Sequence, residues 1–209
     1  MRFDRAGGPF VGGAWLLALL AWLYSGWALA APFIALGAFF AFFFRDPHRI
    51  VPDLAHAVLS PADGQVKYTG PGEPGVAPPG DWNQISIFLS PMDVHVNRIP
   101  ASGRVTRVSY TPGKFLPAYR QEAAAVNERS EVWIDRGNGE MIVARQVVGI
   151  LARRVVCRAK VGDVVRAGDR FGIMKFGSRM DIFTPVSSKI QVEVGDMVRG
   201  GETVIAVLD

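Results

Sequence analysis

Gly177-Ser178 is the pair of residues in this 209-residue chain with the most particular chemistry open to it. A serine hydroxyl can attack the carbonyl of the residue before it and exchange a peptide bond for an ester. Glycine in front of it removes steric cover and tolerates backbone angles closed to other residues. The attack needs a base for the hydroxyl proton and donors for the oxyanion. Taken alone, Gly-Ser is most often a turn. The chain has three histidines, His48, His56 and His95. His95 lies in Phe88-Leu89-Ser90-Pro91-Met92-Asp93-Val94-His95, where Asp93 and His95 share a face if the segment is a strand. Pro91 breaks such a strand and lifts them into a loop or strand end. Asp63 sits in Ser60-Pro61-Ala62-Asp63-Gly64. Each has a plainer reading, since an Asp-Gly is usually a turn and a lone histidine usually a hydrogen-bonded structural residue.

The elements that must position these residues are mostly strands. After Arg49, short runs rich in Val, Ile and Phe alternate with Gly, Pro, Asp and Asn: Gln84 to Leu89, Gly103 to Tyr110, Glu131 to Ile134, Met141 to Ile150 and Ile190 to Val194. Only Lys114 to Arg129 is helix-friendly. Tyr68 to Gly80, with four prolines, reads as an exposed, mobile loop. Two internal repeats stand out. Val161-Gly162-Asp163-Val164-Val165-Arg166-Ala167-Gly168-Asp169 recurs 33 residues later as Val194-Gly195-Asp196-Met197-Val198-Arg199-Gly200-Gly201-Glu202. Pro61-Ala62-Asp63-Gly64-Gln65-Val66 recurs as Pro100-Ala101-Ser102-Gly103-Arg104-Val105. Such pairs predict a quasi-symmetric β-sandwich, with residues 170–193 as a hairpin at its tip. The pattern resembles the lipoyl/biotinyl carrier domain. There a lysine beside methionine takes the cofactor, so Met174-Lys175 raises a carrier reading, although the usual Glu-Ala before it is missing.

From Phe10 to Phe44 no residue is charged. One straight helix of that length would be about 52 Å long, well past a hydrocarbon core of roughly 30 Å. Tyr24 to Trp27 and Pro32 are interruption points, so residues 10–24 and 28–44 are expected to form two apolar helices in a membrane hairpin. A cleavable signal is disfavoured by the length of the run and by the Arg45-Asp46-Pro47 exit. Arg2 and Arg5 before the run, and Arg45 and Arg49 after it, put both ends of a hairpin in the cytoplasm. The division expected is 1–49 as the anchor and 50–209 as the β-rich catalytic domain with a short helical segment.

Composition narrows the field. With 49% apolar and 20% charged residues the chain can build a core and is no disordered polyelectrolyte. A net charge of +4, without a basic run, argues against nucleic acid and fits an anionic membrane surface. The single cysteine, Cys157, excludes an intramolecular disulfide and a cysteine-based zinc site, and reads as a small buried residue.

Taken in order, Pro61-Ala62-Asp63-Gly64, Phe88-Leu89-Ser90-Pro91-Met92-Asp93-Val94-His95, Asn127-Glu128-Arg129 and Lys175-Phe176-Gly177-Ser178 resemble the phosphatidylserine decarboxylase family, in its compact bacterial and archaeal-type branch. The resemblance covers roughly residues 45–209. It implies a pyruvoyl-dependent enzyme that cuts itself between Gly177 and Ser178 into a large chain, 1–177, and a small chain, 178–209. Ser178 would be the nucleophile. Its ester would eliminate to dehydroalanine and hydrolyse to a covalent pyruvoyl group, with no pyridoxal phosphate and no metal. The resemblance makes Asp63 the acidic member of the cleavage triad and His95 the base and proton donor. Longer members carry a second histidine where this chain has Arg98, a poor base, which leaves open whether His95 serves both cleavage and decarboxylation. The implied partners are phosphatidylserine in the cell membrane, with the catalytic domain on the cytoplasmic side, and the two chains held together; a homodimer stays open. The competing classes are a membrane-tethered carrier modified on Lys175 and a non-enzymatic membrane adaptor.

Overall fold

A computed structural model describes every residue except Met1, Gln121, Asn138, residues 151–154 and Phe176. The chain forms two compact units, Met1–His48 and Arg49–Asp209.

The first unit contains β1 (Arg2–Phe3), α1 (Gly8–Ser25), α2 (Trp27–Phe43) and β2 (Arg45–Asp46). Gly26 ends α1 at φ +79, a left-handed conformation that suits glycine, and its N–H bonds to the Trp22 carbonyl at 2.8 Å. The break therefore falls at Gly26, while Pro32 sits inside α2. β1 and β2 pair antiparallel and close the open end of the hairpin. The helices touch through small residues, Ala14, Ala18, Ala21, Ala30 and Gly37, which are buried, whereas Leu16, Leu17, Leu20, Trp22 and Leu23 are exposed. Small residues inside and large apolar ones outside is the packing of helices that meet lipid. The span Arg5–Ser25 is long and apolar enough to cross a membrane; α2 is shorter.

The second unit is mainly β. Its elements run β3 (Ala57–Leu59), β4 (Gly64–Pro71), β5 (Trp82–Leu89), β6 (Val96–Arg98), β7 (Gly103–Thr111), α3 (Ala123–Val126), β8 (Arg129–Asp135), β9 (Met141–Val148), β10 (Val156–Cys157), β11 (Val164–Val165), β12 (Arg170–Ile173), β13 (Ser178–Pro185), β14 (Lys189–Ile190), β15 (Met197–Val198) and β16 (Val204–Val207). An eight-stranded antiparallel sheet has the order β11-β7-β8-β9-β13-β5-β4-β15, and two three-stranded sheets have the orders β10-β12-β6 and β14-β16-β3. One core joins all three, built from Ile85, Ile87, Leu89, Ile134, Ile142, Met180 and Ile182 of the large sheet with Phe171, Val58 and Ile205 of the small ones. Each such side chain contributes about 1.5–3 kcal/mol by leaving water.

The repeats are visible as equivalent pairings. β11 pairs with the start of β7 (Val164 opposite Arg104, Val165 opposite Gly103), and β15 pairs in the same way with the start of β4 (Met197 opposite Gln65, Val198 opposite Gly64). The flanking bonds match too: Gly162 N–H to Val105 O and Val105 N–H to Asp163 O have counterparts in Gly195 to Val66 and Val66 to Asp196. The second half of each repeat thus closes on a different first half, in a nested arrangement.

Three expectations change. Residues 170–193 are no hairpin: β12 pairs with β6 and β10, whereas β13 pairs with β5 and β9, so the two strands belong to different sheets. Among the described residues the helical part of Lys114 to Arg129 is α3, and Asn127 holds the preceding loop by bonding both the N–H and the C=O of Leu116. The Pro-rich loop is tied down. Glu73 is buried and its N–H bonds to Gln84 Oε1 at 2.9 Å, while Val76 packs on Ala124, Val143 and Phe183, with its carbonyl held by Arg145.

Candidate active site

Ser178 opens β13 in the middle of the large sheet, opposite Leu89 on one side and Val148 on the other. Strand alternation puts Ser178 on the same face as Met180 and Ile182, the face lining the core, and Arg179 on the reverse. There Arg179 is held by Asp181 at 2.6 Å and Ser86 at 2.8 Å. Ser178 is fully buried and its Oγ has no hydrogen-bond partner among the described residues. An unpaired buried hydroxyl costs stability and calls for an explanation in function.

Gly177 adopts φ +77, and a Cβ there would meet nothing within 4 Å. Backbone conformation, not space, requires glycine at this position. Gly149 shows the opposite case. A Cβ on it would lie 2.1 Å from the Gly177 carbonyl oxygen, so only glycine lets that carbonyl pack where it does. Sequence reading missed Gly149, since its requirement arises from a contact across 28 residues of chain.

His95 is fully buried at the entry to β6. Its Nδ1 lies 3.0 Å from the Asp93 carbonyl and its Nε2 lies 3.3 Å from the Gly177 backbone nitrogen. A carbonyl can only accept and a peptide N–H can only donate, so Nδ1 carries the proton and the Nε2 lone pair faces the Gly177–Ser178 segment. The preceding turn is shaped by Asp93, whose carboxylate accepts from the Ser90 N–H at 2.7 Å. Asp93 thus reaches His95 through its carbonyl rather than its carboxylate.

Asp63 is placed differently. Both its oxygens contact Arg49 Nη2, at 2.8 and 2.7 Å, and Oδ1 also accepts from the Gly200 N–H at 2.8 Å. Arg49 extends the pair to Glu202 at 3.2 Å. The Glu202 carboxyl is held below the usual glutamate range, first by the Ile50 N–H and then by Arg49 and Arg199, against an opposing effect of burial. The structure therefore joins His95 to Gly177 directly and gives the Asp63 carboxylate other partners. Its link to β6 is indirect: two residues before it, the Pro61 carbonyl accepts from the Arg98 N–H at 2.8 Å. The Arg98 guanidinium donates to the Gly168 carbonyl at 3.0 Å.

The remaining motif residues are supports. Asn127 ties Leu116 to Val148, the residue opposite Ser178. The Glu128 carbonyl accepts from the Val148 N–H at 3.1 Å. Met174 is fully buried and Lys175 half-buried on the crossover between sheets, which is not the exposed hairpin tip that a carrier lysine requires. Burial pushes the Cys157 thiol up. Behind Ser178, the sequence reading also passed over two fully buried amides, Asn97 and Gln146, which bond to each other at 2.8 Å.

Fold and site together define a mainly β domain in which a buried serine follows a left-handed glycine whose N–H meets a buried histidine. The sequence profile of phosphatidylserine decarboxylase matches residues 36–206. A relative from Geotalea daltonii is 43% identical over 95% of this chain and 93% of its own length. One from Symbiobacterium thermophilum is 43% identical over 98% and 94%, and one from Nitrosomonas europaea 39% identical over 97% and 93%. Each is named phosphatidylserine decarboxylase proenzyme. The chain belongs to the phosphatidylserine decarboxylase family.

Proposed function

We propose that this chain is a proenzyme that cleaves itself between Gly177 and Ser178 and then, with a pyruvoyl group made from Ser178, decarboxylates phosphatidylserine to phosphatidylethanolamine and carbon dioxide. The observation that carries the reading is the unpartnered, buried Ser178 hydroxyl next to Gly177, whose N–H meets His95 Nε2. In this reading the Ser178 Oγ attacks the Gly177 carbonyl carbon and His95 Nε2 takes the hydroxyl proton. His95 is held in the tautomer that can do so by the Asp93 carbonyl. The residues present suit a pyruvoyl group, because its parent side chain already sits on a buried face beside polar amides. When formed, such a ketone takes up the substrate amine and delocalises the electrons left as carbon dioxide departs. His95 would then be the proton donor at the substrate α-carbon as well.

Asp63 is assigned to maturation as a positioning residue, acting through the Pro61–Arg98 backbone contact on the strand that follows His95. The two chains, 1–177 and 178–209, would stay together, since β13 lies between β5 and β9 and its Met180 and Ile182 share their core. The equivalent repeat pairings support classing the second unit as a quasi-symmetric lipoyl/biotinyl-like sandwich. Membrane attachment through α1 and α2, with the β unit on the cytoplasmic side, is favoured by their lipid-type packing and by the flanking Arg2, Arg5, Arg45 and Arg49. A homodimer is compatible with this scheme. The test is a denaturing gel of the wild-type chain and Ser178→Ala. The wild type should give two chains and carbon dioxide release from phosphatidylserine, and the variant one full-length inactive chain. Two chains of the same sizes from Ser178→Ala would refute the reading.

A further inference from the structure

Among the described residues, three fully buried polar groups in the interior between the large sheet and the sheet of β6 have no partner: the Ser178 hydroxyl, the Asn97 amide nitrogen and the Gln146 amide oxygen. Gln146 is on β9, two residues before Val148, the partner of Ser178, and on the same face. That is a diagonal neighbour, within reach of a long side chain. Asn97 comes from β6 on the facing sheet, two residues after His95. The amides are fixed in orientation. Gln146 Nε2 donates both to Asn97 Oδ1 at 2.8 Å and to the Val156 carbonyl at 3.5 Å, which leaves Oε1 as its spare acceptor and Asn97 Nδ2 as the spare donor. The backbone makes room for this. A Cβ at Gly172 would come within 2.6 Å of Gln146 Nε2. A spare donor, a spare acceptor and a hydroxyl in one buried place match the needs of a single water, which binds where two to four polar partners converge.

We propose that Asn97 and Gln146 hold one water molecule beside Ser178, and that this water is the one consumed in making the pyruvoyl group. The inference rests on the proposed self-cleavage. After Ser178 Oγ bonds to the Gly177 carbonyl carbon and the peptide C–N bond breaks, loss of the Ser178 α-proton and of the Cβ–Oγ bond frees the large chain as a carboxylate. The small chain then begins with dehydroalanine. Its imine tautomer takes a water oxygen at the α-carbon, the C–N bond breaks and ammonia leaves, giving the ketone. No oxidant or reductant is required, but one water is, in an interior otherwise lined by Leu89, Met180 and Ile182. The amide pair delivers it to the reacting carbon.

The test separates cleavage from hydrolysis in the full-length protein. Borohydride quenching converts a pyruvoyl terminus to lactyl and an unhydrolysed imine to alanyl, and the mass of the small chain tells them apart. Asn97→Leu and Gln146→Leu should still give two chains. Their alanyl-to-lactyl ratio at a fixed time should rise about fivefold to tenfold over wild type, the effect of losing one hydrogen bond to the water. Gln146→Glu, which keeps an acceptor, should restore the wild-type ratio. Asn97→Ala, which adds no volume, and Gln146→Met, which is unbranched and similar in length to glutamine, are run in parallel against a failure to fold. Wild-type ratios in every variant that cleaves would overturn the proposal. So would loss of cleavage in all four apolar variants, because the pair would then be holding the fold. A wild-type chain that never cleaves would instead overturn the proposed function.

Discussion

Asp63 and Ser102 occupy equivalent positions in the two repeats and make the same bond: Asp63 Oδ1 accepts from the Gly200 N–H at 2.8 Å, and Ser102 Oγ accepts from the Ala167 N–H at 3.0 Å. The acceptors and the donors are each related by the repeat, so this contact belongs to the architecture. What Asp63 adds is charge, answered by Arg49. Asp63→Asn preserves an acceptor for Gly200 and weakens the ion pair. It should slow maturation severalfold, while enzyme that has matured keeps most of its turnover. A time course of chain formation on a gel, with carbon dioxide release normalised to mature enzyme, checks both halves. Unchanged maturation would remove Asp63 from the scheme.

His95→Ala should abolish chain formation, since His95 Nε2 carries the imidazole lone pair that meets the Gly177 N–H. Arg98→Ala should still cleave, because its guanidinium reaches the Gly168 carbonyl and an arginine does not serve as a base. Maturation at the normal rate in His95→Ala would transfer the base role to another group.

Gly149→Ala tests the carbonyl that Ser178 is to attack. The added methyl must displace the Gly177 oxygen, which it would otherwise approach to 2.1 Å. Maturation should fall by about a hundredfold, the order expected from an ångström-scale misplacement at a reacting centre. Thermal unfolding of the unprocessed chain distinguishes this from simple loss of fold. Gly177→Ala should also slow maturation, through the strain of φ +77, about 1–2 kcal/mol for a residue with a Cβ.

Acid should weaken the cluster that Arg49 makes with Asp63 and Glu202 in the second unit. The folded Glu202 carboxyl is depressed by the Ile50 N–H and Arg49. A depressed carboxylate contributes stability that is complete above its unfolded pKa, about 4.3, and is lost as pH falls through the lower folded value. Unfolding free energy measured across that window should drop less in Glu202→Gln than in wild type. Equal pH dependence in both would contradict the ion-pair account.

Removing residues 1–44 should leave a β-rich protein that still cleaves itself, because the Gly177–Ser178 site is built wholly within the second compact unit. Activity on vesicle-borne phosphatidylserine should fall further than activity on a soluble short-chain analogue. Equal losses would assign the segment to folding rather than to lipid access.

Local rules were enough for the parts of this protein that depend on near neighbours. The uncharged run with Gly26 at its centre implied an apolar helix pair. The alternating Val and Ile segments implied strands, and the ordered motifs carried the family. The repeats also showed that two halves would be built alike. Contacts between distant segments were decided only by the tertiary structure. Nothing local says that β12 and β13 part into different sheets, because pairing partners are chosen by the whole core. Nothing near Gly149 announces the Gly177 carbonyl, and nothing near Asn97 announces Gln146, 49 residues away. Asp63 and His95 were both legible as residues of interest, but their partners were not: a carboxylate and an imidazole bond to whatever the folded backbone brings within about 3 Å. Here folding brought Arg49 to one and Gly177 to the other.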